Sequence, residues 1–185
     1  MEITKNIYKF SGQSNAYLII DEEPKMIDAG VREEKEELLR KISQIIDKDK
    51  IKHILLTHLH YDHLGALDAF PQATIHASKE AIEDFQKNPF YSVFRNPEID
   101  MLQQKKLFPV SDMGDIIVIP TPGHTRGSVC YYHKTKNILF SGDTLFGKGI
   151  LGRTDLPTSD VKAMQESIKK LNAYSNAILC PGHDY

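Results

Sequence analysis

The stretch THLHYDHLGA, Thr57 to Ala66, places three histidines and an aspartate within the six positions His58 to His63. Clustered imidazoles are costly to bury and too local to organise a fold. The stretch is therefore either a solvated polar loop or a metal site. The donors suit metal: imidazole favours zinc, iron and similar ions, while a carboxylate adds charge and can bridge two ions. The spacing of His58 and His60 lets an extended loop aim both rings the same way, and Asp62 and His63 then fall on the turn that opens DHLGALDAF. Two ligand sets fit such a segment, and Gly65 allows a tight backbone approach beside it.

Further along the chain the same construction recurs. HILLTHLHYDH, IIVIPTPGH, ILFSGD and AILCPGH each read as an apolar strand that runs into a polar group in a loop marked by glycine, proline or threonine. These four strand ends deliver His58, His60, Asp62, His63, His124, Asp143 and His183. Loops at strand ends are where a rigid scaffold presents reactive groups, so the repetition predicts that all seven converge on one edge. His53, His76 and His133 follow no such strand end and are expected to be ordinary hydrogen-bonded or exposed histidines.

Strand and helix patterns interleave around these loops. Helical spacing of Leu38, Leu39, Ile42, Ile45 and Ile46 after REEKEE predicts one helix, and Val161, Met164, Ile168 and Leu171 after the capping candidates Thr158 and Ser159 predict another. A shorter helix is expected over Ser78 to Lys87. Strands are expected at Tyr17 to Ile20, Lys25 to Ile27, Ile51 to Leu56, Ala73 to His76, Ile116 to Ile119, Val129 to His133, Ile138 to Phe140 and Ala177 to Cys180. Gln86 to Phe108, which carries Pro89, Pro97, Phe90, Tyr91 and Phe94, reads as the least regular segment. Within it, Tyr91 and Phe94 either line a substrate channel or pack between layers or against another subunit.

Composition narrows the chemistry. A net charge of −2 over 185 residues gives no footprint for nucleic acid or an anionic membrane, and no window approaches a membrane span. The start, MEITKNIYKF, lacks the apolar core of a signal peptide, and the chain has two cysteines, so a reduced, cytoplasmic protein is expected. The expected partner is a small-molecule substrate, with no nucleic acid and no membrane; a homo-oligomer is left open.

Taken together, T-H-x-H-x-D-H, then PGHT, SGDTLF and PGH, with MIDAG at Met26 to Gly30 before them, resemble the metallo-β-lactamase-fold hydrolases across essentially the whole chain. Asp143 stands where the zinc β-lactamases carry a cysteine. Together with GRTDLP, Gly152 to Pro157, it makes the chain more similar to the glyoxalase II (hydroxyacylglutathione hydrolase) branch. The resemblance implies an α/β (α+β) fold, a four-layer αββα sandwich, as one domain over 1–185 with two similar halves. It also implies a binuclear centre of two divalent metal ions, zinc in the first place, with iron or manganese served by the same donors. By position, His58, His60 and His124 would hold one ion, Asp62, His63 and His183 the other, and Asp143 would bridge. The catalytic groups would be Asp143 and Asp62, the latter also positioning or accepting a proton.

A metal-bound hydroxide would be the nucleophile, since binding lowers the pKa of water from about 16 to roughly 7. Its target would be a small thioester such as a hydroxyacylglutathione, whose thiolate, with a free pKa of about 8.5, leaves without a strong general acid. Asp28 and Gly30 would shape the floor of the site. Arg153 is expected to form a salt bridge within its own loop rather than to hold an anionic substrate. Glyoxalase II proper continues into a helical C-terminal region that supplies basic groups for glutathione, and this sequence stops at Tyr185 without it. Two other readings stand beside the hydrolase. One is an iron-dependent persulfide dioxygenase of the same fold, similar at HxHxDH, GRTD and the ending HDY; the other is a non-catalytic binding module, which the complete ligand set opposes.

Overall fold

The computed structural model describes residues 1–185. The chain begins with four strands, β1 (Glu2–Thr4), β2 (Ile7–Phe10), β3 (Ala16–Ile19) and β4 (Lys25–Ile27), each antiparallel to the one before. Helix α1 (Lys35–Ser43) leads into β5 (His53–Leu55), and β6 (Thr74–Ala77) precedes α2 (Lys79–Lys87), α3 (Pro89–Val93), α4 (Asn96–Gln103) and β7 (Leu107–Pro109). Strands β4 to β7 run parallel, so all seven strands lie in sequence order in one sheet. The second sheet holds β8 (Ile116–Pro120), β9 (Val129–His133), β10 (Ile138–Gly142) and β11 (Ile178–Pro181), in the order β11-β10-β9-β8. Helix α5 (Val161–Leu171) connects β10 to β11, which are parallel.

Strand alternation decides how these elements stack, because successive side chains point to opposite faces. In β3, Leu18 enters a core shared with Leu38 and Ile42 of α1, Phe85 of α2 and Leu102 of α4, whereas Tyr17 and Ile19 enter a second core with Ile116, Tyr131 and Phe140 of the other sheet. Ile54 and Leu55 divide between the same two cores. On the second sheet Ile138 and Phe140 face the first sheet, and Leu139, with Cys130 and Ile119, packs against Leu171 and Ile168 of α5. Three cores separate four layers: helices, sheet, sheet, helix. This is the expected αββα sandwich.

Local chemistry sets the helix boundaries, with two departures from the sequence reading. Ser78 caps α2 by accepting from the Ala81 amide at 3.0 Å. The cap of α5 is Asp160, whose side chain accepts from the Ala163 amide at 2.9 Å, and not the expected Thr158 or Ser159. Ser159 is committed elsewhere, donating to the His124 carbonyl at 2.6 Å. Helix α1 stops at Ser43, so Ile45 and Ile46 pack from the turn that follows it.

The larger correction concerns Gln86 to Phe108. It is mostly helical, with Pro89 and Pro97 in the first turns of α3 and α4, where a missing amide proton costs no helical bond. Strands β1, β2 and β7 were also not read from the sequence, being short and without strong alternation.

The candidate metal centre

Strands β4 and β5 run parallel, as do β10 and β11, and β8 shares the direction of β10 because both are antiparallel to β9, so the ends of these five strands come to one edge. Asp28 follows β4, the histidine loop follows β5, His124 follows β8, Asp143 follows β10 and His183 follows β11. All seven residues singled out in the sequence meet there. His58, His60 and His124 form one group of potential ligand atoms lying within 4.8 Å of one another, His58, His63 and Asp143 a second, and Asp62, His63 and His183 a third. Asp143 lies between the sets. Its Oδ1 is 3.3 Å from His63 Nε2, and its Oδ2 is 3.5 Å from His124 Nε2 and 3.4 Å from His183 Nε2. Asp62 Oδ2 lies 3.2 Å from His183 Nε2.

Hydrogen bonds behind the rings fix how they are presented. Asp28, in the left-handed region at φ 56°, accepts from the Thr57 amide, the Thr57 hydroxyl and His63 Nδ1, each at 2.8 Å. With its proton given to Asp28, the Thr57 hydroxyl accepts from His58 Nδ1 at 3.1 Å. His124 Nδ1 donates to the Arg153 carbonyl at 2.9 Å and His183 Nδ1 to the Gln13 carbonyl at 2.5 Å. In four of the five rings Nδ1 is therefore committed as the donor, so that Nε2 is the nitrogen that faces the cluster and is free to bind once unprotonated, the arrangement that orients metal-bound histidines. His60 is turned the other way, with its Nδ1 3.0 Å from His124 Nε2.

The turn Tyr61–His63 can carry Asp62 and His63 inward because the Asp28–Val31 loop passes directly beneath it. A Cβ at Gly65 would sit 2.1 Å from the Val31 carbonyl carbon and 2.0 Å from the Arg32 nitrogen, so only glycine admits that approach.

A divalent cation fits this donor set. His58 Nε2, His60 Nε2, His63 Nε2 and Asp143 Oδ1 are buried without a hydrogen-bond partner. Orphaned buried polar atoms of this kind are uncommon, and four in one cluster mark a place built for a further charge. Without a cation, protons divide unequally among the rings. Burial, reinforced by neighbouring rings, drives His58 well below the ordinary histidine value and His60 down to about 3. Burial also opposes charge on His63 and His183. There the surrounding carboxylates outweigh it, lifting His63 well above its ordinary value and His183 to about 10. Burial would raise Asp143, yet His63 and His183 hold it well below the usual carboxylate range.

These directions define how the metal-free protein responds to pH. Because His183 is raised, the stability it contributes is complete below 6.5 and is lost as pH rises through about 10. His58, His60 and His124 are lowered, so they cost stability as pH falls below 6.5, where the unfolded chain takes up protons they refuse. Chelated protein should thus be most heat-stable near pH 6.5 and less so in both directions, as read by calorimetry; a melting temperature that stays level up to pH 10 would contradict the assignment.

The remaining sequence expectations also find their places. Arg153 pairs within its loop, at 2.9 and 3.0 Å from the two Asp155 oxygens. His53 and His76 hydrogen-bond to each other at 3.1 Å, and His133 lies far from the cluster against Thr135. Not foreseen was the loop between β2 and β3. The Gln13 carbonyl holds His183, the Ser14 hydroxyl donates to the Asp62 carbonyl, and Asn15 Nδ2 donates to the Pro181 carbonyl at 3.1 Å and to Asp184 at 3.2 Å. The polar run SGQSN was its only trace in the sequence.

A two-sheet sandwich with histidines and aspartates converging on one edge defines a class, and comparison with known proteins gives its name. Residues 11–183 match the sequence profile of the metallo-beta-lactamase superfamily, and the chain belongs to that superfamily. Among its relatives, the hydroxyacylglutathione hydrolase GloC of Haemophilus influenzae is 32% identical over 92% of this chain and 85% of its own length. The probable metallo-hydrolase M6_Spy0554 of Streptococcus pyogenes serotype M6 is 31% identical over 92% and 77% of the two chains. Among solved structures, TTHA1623 in a di-iron-bound form superposes with a TM-score of 0.72 at 28% identity, covering 96% of this chain and 91% of that one.

Proposed function

We propose that this member of the superfamily is a binuclear metal-dependent hydrolase of small thioesters, of the kind that includes hydroxyacylglutathione. The observation that carries this reading is the cluster of four orphaned buried donors with Asp143 between two histidine sets. The likeness to GloC supports the substrate class. His58, His60 and His124 would hold one divalent ion and Asp62, His63 and His183 the other, with Asp143 between them.

Bound ions at such a centre supply a water of lowered pKa and a Lewis acid for the scissile carbonyl. The chain's own residues prepare the site for that chemistry. Asp28, the Arg153 carbonyl and the Gln13 carbonyl each hold a ring in the tautomer that leaves Nε2 unprotonated toward the cluster. Asp62, only partly buried and held below its ordinary pKa by His63 and His183 despite burial, keeps a carboxylate at the open side, where it can orient water or take its proton. The departing thiolate needs no strong acid.

The test combines elemental analysis with two assays on the same preparation. Up to two transition-metal ions per chain and hydrolysis of a hydroxyacylglutathione are expected, with activity lost to chelator and restored by metal. The fold should largely survive chelation, since the three apolar cores do not depend on the site. One iron per chain, with oxygen consumed on glutathione persulfide and no thioester cleaved, would replace this reading with the dioxygenase.

A further inference from the structure

We infer that the aromatic face of α3 is a substrate subsite, and that the thioester carries an apolar arm, aryl or branched alkyl, which lies along Phe94, Phe90 and Tyr91 beside His60. This inference rests on the thioester hydrolase reading above and specifies its substrate class. Helix α3 buries Ser92 and Val93 but turns its two aromatics outward, with Phe90 and Tyr91 52% and 49% exposed. Large aromatics ordinarily take the buried side of a helix, and exposed ones grouped together mark a binding surface.

Phe94 then closes the helix in the left-handed conformation, φ 66°, which side chains other than glycine and asparagine rarely adopt. What that conformation achieves is a ring centred 5.0 Å from the His60 imidazole and 6.3 Å from Phe90. The aromatic surface thus starts at the metal cluster. Of the three aromatics, Tyr91 also lines a cavity of about 560 Å³, whose other walls combine Pro122, Pro157 and Ala163 with the charged Asp84, Arg126 and Asp160, and include the Ser159 that holds the His124 carbonyl.

Charge around this face argues against an anionic arm. Arg95 is paired with Glu33 and Glu98, Arg126 with Glu83 and Asp84, and Arg153 with Asp155. The ammonium of Lys87 is the one cation lining the cavity without a carboxylate, and it is exposed, where a single hydrated charge adds little selectivity.

The test uses metal-loaded protein and two matched sets of neutral thioesters. One set carries acetyl, hexanoyl or phenylacetyl on N-acetylcysteamine, and the other carries acetyl on ethyl, hexyl or benzyl thiol. Each well-buried methylene is worth about 0.8 kcal/mol, close to fourfold, so kcat/KM should rise at least about tenfold across one of the two sets. Phe94→Asn keeps the left-handed cap, which asparagine tolerates, and should collapse that ratio without lowering the melting temperature. Tyr91→Ser should reduce it as well.

Turnover that is level across both sets would overturn the subsite while leaving the hydrolase reading intact. No turnover of any thioester by metal-loaded protein would overturn both. A preference unaffected by Phe94→Asn, or a dimer that Tyr91→Ser dissociates with the preference unchanged, would assign the aromatics to another role.

Discussion

Asp143→Asn should bind fewer metal ions than the parent and hydrolyse thioester at least a hundredfold more slowly, while melting as a folded protein. The carboxylate is 9% exposed and lies within 3.5 Å of ring nitrogens from both histidine sets, one oxygen toward His63 and the other toward His124 and His183. An amide retains the shape. It removes the negative charge that would offset the two cations of the proposed centre, and it replaces one oxygen donor with an NH2 that has no lone pair for metal. Removing one partner of a buried charged group costs about 3–5 kcal/mol, and each 1.36 kcal/mol is a factor of ten. The expected loss is therefore roughly two to four orders of magnitude.

Without metal the substitution also matters, because Asp143 is among the carboxylates that keep His63 and His183 protonated. Chelated Asp143→Asn should consequently show a shallower fall in melting temperature above pH 6.5 than the chelated parent. His133→Ala is the control, since His133 lies at the other end of the sandwich beside Thr135 and Lys136. A variant at Asp143 that binds two ions and turns over like the parent would remove the bridge from the scheme.

Why the site was so legible and parts of the scaffold less so follows from where the information sits. The seven candidate ligands are side chains whose chemistry is unusual in itself, and each follows an apolar run that can only be a buried strand. The shared direction of β5, within its sheet, and of β8, β10 and β11 in the other then brings them together at one edge. The layers were legible for a related reason: Leu18 between Tyr17 and Ile19, or Leu139 between Ile138 and Phe140, are apolar on both faces, which requires cover on both sides.

Much of what holds the ligands in place, by contrast, is backbone. The Gln13 and Arg153 carbonyls that set the tautomers of His183 and His124 have no residue type to announce them. Gln86 to Phe108 misread as irregular because its helices are short and its prolines, which usually interrupt, here begin them. The aromatics of α3 also point outward, so that only Val93 of its apolar residues supplies the burial pattern on which helix recognition depends.

Gly182→Ala should be nearly as damaging to activity as loss of the aspartate, although a single methyl is all it adds. Gly182 immediately precedes His183, and its amide donates to the Gly142 carbonyl at 2.8 Å, tying the end of β11 to the end of β10 one residue before Asp143. That bond draws the two loops so close that a Cβ at position 182 would stand 2.2 Å from Asp143 Oδ1 and 2.9 Å from His63 Cε1, with the Gly142 carbonyl carbon at 3.0 Å. The carboxylate can rotate away, but the oxygen that must move is the one now 3.3 Å from His63 Nε2. The backbone contact leaves the methyl little room to retreat. The β-sandwich beneath is untouched, so the cost should fall on the site: a displacement of about 1 Å at reacting groups is worth roughly a hundredfold in rate.

The variant should therefore fold, with a melting temperature within a few degrees of the parent when both are metal-free. It should bind metal about 10- to 100-fold more weakly, the penalty typical of disturbing a ligand's surroundings, and hydrolyse thioester at a hundredth of the parental rate or less. Wild-type metal content and rate in Gly182→Ala would mean that the oxygen displaced by the methyl is not a ligand, and any bridge by Asp143 would then have to run through its other oxygen alone.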